Sequence, residues 1–445
     1  MEDSGGERGC SQADQLGVGV MGVGGSSASE KPRRGRRGAR ASVLVGLTAA
    51  AALTAPAPLG AQTVAGPSTM AEPCEGSSNP TLYGTNRRMV VTSGGRTLAL
   101  YDPHGSGQQL TWQDPGGEWK RTTAGTVIDG FFVPTADEAL NDRTASIVLA
   151  RDSGGVEHAW VVYSGYTFTR IATVKLRRLS NLDAPGGPTV GPEVTVEPAG
   201  MGNVGVDVAF EGNRATIAWL QRTGDTTYSL VTTWFSDLDG DRPAFHDRSV
   251  LFSGSSSTMF PSLAPTPDGM RVLARAGKLR VFSHAVAAPL TQWSMGTAGT
   301  TVSGKSRVSA VAFGADILAA VESNTNDHIV KVVRFSSTGS SATTLLTTEI
   351  GYADPTIATD GTSAYVVMVK RATQRSVVSR QAVVGQTWSA DRVELAATAS
   401  YGGDYAWPNV IRQTDGYLRF MVDAAKCPTT TQRNAVLAYQ RPLSP

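Results

Sequence analysis

Side chains able to do chemistry are spread thinly along this chain, and spacing decides what each could do. The densest cluster is Asp237-Leu238-Asp239-Gly240-Asp241. Three carboxylates around a glycine turn can wrap a hard cation such as calcium. The EF-hand pattern is incomplete, because no Glu closes the loop, although Asp247 is nearby. The motif invites a structural calcium and no other cofactor; the alternative is a solvated acidic turn. The five histidines, His104, His158, His246, His284 and His328, do not pair at metal-binding spacing. Neither a Gly-x-Ser-x-Gly elbow nor a His-Glu-x-x-His zinc motif occurs.

A second set mixes aromatic rings, carboxylates and cations. Phe260, Tyr352, Asp354, Tyr401, Asp404, Tyr405 and Trp407 stand just before the prolines Pro261, Pro355 and Pro408. Asp102, Gln221, Arg222, Glu322, Lys370, Arg371 and Asp423 stand where other apolar runs end. Aromatic faces against C–H groups, with hydrogen bonds to hydroxyls, suit a sugar. A glycosidase would draw two carboxylates from Asp354, Asp404, Glu322, Asp102 and Asp423. A polysaccharide lyase would use His104, His328 or Tyr405 as base, with Lys370 or Arg371 on a uronate.

The elements that position these residues are legible as repeats. Pro261-Ser-Leu-Ala-Pro-Thr-Pro-Asp268-Gly269 returns as Pro355-Thr-Ile-Ala-Thr-Asp360-Gly361 and Pro408-Asn-Val-Ile-Arg-Gln-Thr-Asp415-Gly416. Each copy is a short apolar strand, a turn and a second apolar strand. A unit returning at roughly 45–50 residues marks a propeller or solenoid. Helical periodicity is almost absent after residue 75, and runs of Val, Ile, Thr, Tyr and Phe broken by Gly, Asp, Asn and Ser predict an all-β fold. Grouping strands in fours predicts a seven-bladed β-propeller over 80–445, with six or eight blades as alternatives. The last unit has three strands, so an N-terminal strand, taken from 81–88, is expected to close the ring.

A second repeated element resembles a known one. Asp114-Pro-Gly116-Gly-Glu-Trp119 matches part of an Asp box, and Gly165-Tyr-Thr167-Phe168 and Gly385-Gln-Thr387-Trp388 keep its Gly-x-Thr-aromatic end. These resemble the degenerate BNR/Asp-box repeats of the sialidase-like propeller superfamily. The resemblance implies that the boxes are structural turns between outer strands. True sialidase activity is not expected. Phe168-Thr-Arg170-Ile171-Ala172 carries an inserted Thr and lacks the Pro of that family's first arginine motif. The Asp237 loop in turn resembles the calcium loops of integrin-type propeller repeats. The expected function is binding of a glycan or cell-envelope carbohydrate through the central top face. A carbohydrate-active enzyme and a structural protein-interaction propeller are the alternatives.

The N-terminal part reads as an export signal. Lys31, Arg33, Arg34, Arg36, Arg37 and Arg40 precede the apolar run 41–55, which Pro56 and Pro58 end. That order describes a signal peptide over 31–65. The run is too short for a membrane span of about 20 residues. Residues 1–30 read as disordered or as a start placed too early, and 66–79 as a linker. The first 61 positions hold seven of the 40 basic and five of the 38 acidic residues, which leaves 33 of each. A neutral, monomeric, extracellular protein follows, with no electrostatic case for nucleic acid or an anionic membrane. Once Cys10 leaves with the leader, Cys74 and Cys427 form an even pair, expected as a disulfide between the domain's ends. Reduction is therefore expected to slow the protein on a denaturing gel; identical mobility with and without reductant would remove the bond.

Overall fold

A computed structural model describes residues 68–69, 87–101, 108–121, 144–166, 172–200, 203–224, 226–255, 260–285, 291–302, 308–324, 326–372, 375–396, 405–412, 416–424 and 435–443. Residues 1–67, with the expected signal peptide, and Cys74, Cys427, Asp102, His104, Arg170, Tyr401 and Asp404 lie outside them. The regular elements among the described residues are all β-strands, in seven antiparallel sheets. Blades 1 to 6 span 89–121, 145–200, 203–254, 262–295, 308–347 and 352–395, and blade 7 spans 406–442. Blade 2 carries one extra short strand, Thr189–Val190.

Position within a blade explains the composition of its strands. Second strands are covered on both faces by neighbouring blades and read as continuous apolar runs. Leu98 to Tyr101, Ile317 to Val321 and Ala364 to Val369 are buried throughout. The outer strand His246–Gly254 is mostly exposed and carries charge. The Asp-Gly of the repeated phrase closes the first hairpin. Asp360 Oδ1 accepts the N–H groups of Thr362 and Ser363, at 2.9 and 2.7 Å. Gly361 takes φ +88°, which costs a glycine little.

Among the described residues the core is divided into seven clusters, one between each pair of adjacent blades. Leu98, Leu110, Ile147 and Val161 join blades 1 and 2. Met89, Tyr101, Met421 and Val436 join blade 7 back to blade 1, so the ring is closed. The fourth strand of blade 7 comes from the N-terminal side, as Ser68 pairs with Ala438 and Thr69 with Leu437. The closing strand is therefore Ser68–Thr69, inside the expected linker, and not the stretch 81–88. The reason lies at the axis, where Arg87 and Arg88 lead directly into the innermost strand of blade 1.

That axis is held by a belt of hydrogen bonds. At six of the seven blade junctions given below, the innermost segment of one blade donates a backbone N–H to an oxygen on the blade before it. Ala310 N donates to Ser262 Oγ and Ile357 N to Ser309 Oγ, both at 3.1 Å. Val410 N donates to Thr356 Oγ1, and Arg88 N to Asn409 Oδ1, both at 3.4 Å. Leu263 N donates to Asp207 Oδ2 at 2.8 Å, and Ile147 N to Arg87 O at 2.6 Å. Between blades 2 and 3, Ser146 Oγ donates to Asp207 Oδ1 at 2.7 Å. The Ser, Thr and Asn that follow Pro261, Pro355 and Pro408 thus join blades.

Asp207 is fully buried and also pairs with Arg87 Nη1 at 2.9 Å. Arg87 further donates to the carbonyls of Val208 and Leu263, reaching blades 3 and 4 from blade 1. Asp207→Ala removes acceptors for Arg87, Ser146 and Leu263 together. A loss of roughly 3 kcal/mol is expected from an unpaired buried donor set. Denaturant unfolding checks this, and a change under about 0.5 kcal/mol would contradict it.

Candidate functional site

The sequence-predicted candidates separate into three environments. Some are core. Phe260 is buried, with its ring against Gly205, where an added Cβ would lie 2.2 Å from the ring. Gly205 also has φ +65°, so that contact admits no side chain. Tyr405 is buried in the cluster between blades 6 and 7, and its hydroxyl donates to Ala396 O at 3.0 Å. Asp423 is buried on the second strand of blade 7. Asp354 is buried and takes φ +49° at the bulge in the first strand of blade 6. Trp407 lies in the first strand of blade 7.

A second group clamps loops on the face opposite the proline ends. Ser153, in the first hairpin of blade 2, donates through N and Oγ to the two oxygens of Asp239, both at 2.8 Å. Arg178 Nη1 donates to Asp239 O at 2.7 Å and lies 3.3 Å from Asp241 Oδ1. Asp237 Oδ1 accepts from Asp239 N at 3.2 Å. Arg178 Nη2 and Asp152 Oδ2 both approach His158 Nε2, at 2.6 and 2.8 Å. Asp237, Asp239 and Asp241 therefore hold protein donors, with a guanidinium already among them. Among the described residues no group of three His, Cys, Asp or Glu side chains is arranged to hold a metal. The arrangement fits an inter-blade clamp better than a calcium cage.

The third group gathers where the chain passes from blade 5 to blade 6. Glu322 Oε1 accepts from His328 Nδ1 at 2.7 Å, and Arg371 Nη1 donates to His328 Nε2 at 2.9 Å. These partners assign the Nδ1–H tautomer of a neutral imidazole. The His328 carbonyl, at φ +51°, receives the N–H groups of Gly351 and Tyr352. Beside this lies an open groove of about 640 Å³, lined by Glu349, Ile350, Tyr352, Lys370, Trp388 and Asp391, among others.

One carboxylate organises the groove. Asp391 Oδ2 accepts from Tyr352 Oη at 2.6 Å and Lys370 Nζ at 2.9 Å, and Oδ1 from Arg380 Nε at 2.7 Å. Partial burial would push its carboxyl up, but the bonds from Tyr352, Lys370 and Arg380 outweigh this and hold it below the usual range. Burial and the Asp391 bond push the Tyr352 phenol up. Lys370 and Arg380 lie over the Tyr352 ring, 5.3 and 5.2 Å from its centroid. Tyr352 is buried, so Trp388, half-buried, is the aromatic wall left for a ligand. Glu349 is held low by its own backbone N–H and by Arg380.

Of the expected ligand residues, Tyr352 and Lys370 line this groove, and Arg371 lies behind its lead-in, with its N–H on Gly351 O. Arg380, Asp391 and Glu349 were not singled out from sequence. Arg380 lies within a strand and Asp391 in the connection that follows, so neither carries a motif. Trp388 was noticed only as the end of a box remnant. It does lie in the turn between the outer strands of blade 6, as Asp114 to Glu118 do in blade 1, where Trp119 begins the outer strand. Gly165 instead lies in the second strand of blade 2, so that remnant is not an outer turn.

No protein-family model and no curated protein matches this chain. Solved structures do resemble it. A fucose-specific lectin from Aleuria aurantia shares 12% identity over 71% of this chain and 97% of that one, with a TM-score of 0.42. A protein of unknown function from Dyadobacter fermentans shares 9% identity over 85% and 99%, with a TM-score of 0.45. A Trypanosoma rangeli sialidase, solved with 2,3-difluorosialic acid, shares 9% identity over 79% and 59%, with a TM-score of 0.44. At such identities and scores these likenesses say nothing about the site.

A depressed native carboxyl contributes stability above its unfolded value, about 3.9, and loses it as pH falls through the lowered native value. Asp391→Asn is therefore expected to lower stability by about 1–2 kcal/mol at pH 7. The difference from wild type should shrink toward pH 3. Melting temperatures at both pH values check this, and a deficit that grows in acid would contradict it.

Proposed function

We propose that this protein is an exported, carbohydrate-binding β-propeller that takes a glycan in the groove beside blade 6 without cleaving it. The carrying observation is the Asp391 network, in which Tyr352, Lys370 and Arg380 converge on one carboxylate in an open groove. Donors fixed in this way lose little freedom when a ligand arrives. The groove falls within the size range of small-ligand sites, and Trp388 offers an aromatic wall for sugar C–H groups. The central face is less suited, because Phe260 and Tyr405 are buried rather than presented.

The carboxylates of the groove support a reading of binding without cleavage. A glycosidase needs one carboxyl held protonated near neutral pH as general acid. Asp391 and Glu349 are both shifted the other way. Asp391 is also occupied by three donors and so is a poor nucleophile. Export rests on the basic and apolar segments of residues 31–65.

The purified protein on a glycan array tests the reading. Binding to at least one glycan family is expected, with Trp388→Ala weakening it tenfold or more and Lys370→Ala severalfold. Stacking losses of about 1–2 kcal/mol correspond to such factors. Binding unaffected by Trp388→Ala would move the site elsewhere. Release of reducing sugar from a bound glycan would overturn the non-catalytic reading.

A further inference from the structure

We propose that the axial cavity is a separate site for a short-chain organic carboxylate. The cavity encloses about 280 Å³ and is lined by first-strand residues of six of the seven blades, with Arg87 as the single charged residue among the described lining. Arg87 keeps 26% of its side chain exposed, so the cavity meets solvent there.

Counting hydrogen bonds shows what this cavity still offers. Ser262 Oγ accepts the N–H of Ala310 and retains its hydroxyl proton. Ser309 and Thr356 each accept a strand N–H and lie 3.3 Å apart, so one proton is shared between them and one is left over. Arg87 uses both Nη1 protons and one Nη2 proton on Asp207, Val208 O and Leu263 O. Its Nε–H and second Nη2–H are left. Asp207 is not in the lining, and each of its oxygens already holds two donors. The lining therefore has donors to give and a cation, and its complement is an anionic acceptor.

The remaining walls decide which anion. Met89, Leu149, Val311, Ile357 and Ile411 are apolar, and they border the same space. An inorganic ion would satisfy the donors and leave these walls against water. A carboxylate on a short alkyl chain satisfies both, and removing the apolar walls from water strengthens the polar contacts. The volume is close to the lower limit for small-ligand sites, which excludes an oligosaccharide. This site is independent of the blade 6 groove.

Thermal unfolding and calorimetry of the whole protein with acetate, butyrate and hexanoate, at constant ionic strength made up with chloride, test the site. Saturable stabilisation is expected, tightening about fourfold per added methylene until the chain outgrows the cavity. Leu149→Phe fills the space without touching the belt and should abolish the effect. Ser262→Ala should weaken binding severalfold, and Leu149→Phe carries the test if that variant does not fold. Equal stabilisation by chloride alone, no dependence on chain length, or full binding by Leu149→Phe would each overturn the proposal.

Discussion

Seven sheets can form a ring only if their inner edges are held together where they crowd at the axis, and the belt of hydrogen bonds there does this. An innermost strand has one neighbour within its own sheet, so its other edge presents unpaired N–H groups. In this protein those groups are taken by Ser262, Ser309, Thr356, Asn409 and Asp207 of the preceding blade, or by the carbonyl of Arg87. The apolar clusters between blades then pack against edges whose separation is already set. Arg87 adds a bond across the ring rather than along it, which ties blade 1 to blades 3 and 4. With Arg87 and Arg88 committed to this belt, an earlier segment has to supply the outer strand of blade 7.

The same economy of polar groups explains where ligand chemistry is left. Near the axis, carboxylates and aromatic rings are consumed by construction: Asp207 by four donors, Tyr405 by the Ala396 carbonyl, Phe260 by its fit against Gly205. On the opposite face, Asp239 and Asp241 secure the first hairpin of blade 2 through Ser153 and Arg178. Beside blade 6, in contrast, a fixed polar array borders an open groove of ligand size. There two cations share one carboxylate, which keeps Asp391 ionised and gives its neighbours fixed directions.

The seven blades were largely legible in the chain because strand alternation and turn residues are local. Short apolar runs bounded by Gly, Asp and Asn predict strands, and Pro-x-x-x…Asp-Gly marks the innermost hairpin whether or not its partners are known. The role of the residue after each proline was not legible. Ser262, Thr356 and Asn409 look like ordinary strand residues until the next blade, 48 to 321 positions away in the bonds they or their neighbours make, is placed beside them. Of the four residues in the Asp391 network, two were legible. Tyr352 and Lys370 stand at recognisable strand ends, whereas Arg380 and Asp391 acquire meaning only by converging on Tyr352.

What the sequence determined by itself was the all-β class of fold and a propeller of about seven repeats, since each depends on residues within a few positions of one another. The tertiary structure alone decided which segment closes the ring, which carboxylates are structural and where an open polar groove survives. Those outcomes depend on long-range pairing, and burial determines whether the same Asp, Tyr or Arg is a clamp, a filler or a ligand. Asp239 and Asp391 illustrate this. Both are acidic loop residues with depressed carboxyls, one held low chiefly by the Ser153 backbone N–H, the other by Tyr352, Lys370 and Arg380 against the pull of burial. Only the surroundings brought by folding make the first a clamp between blades and the second the centre of an open groove.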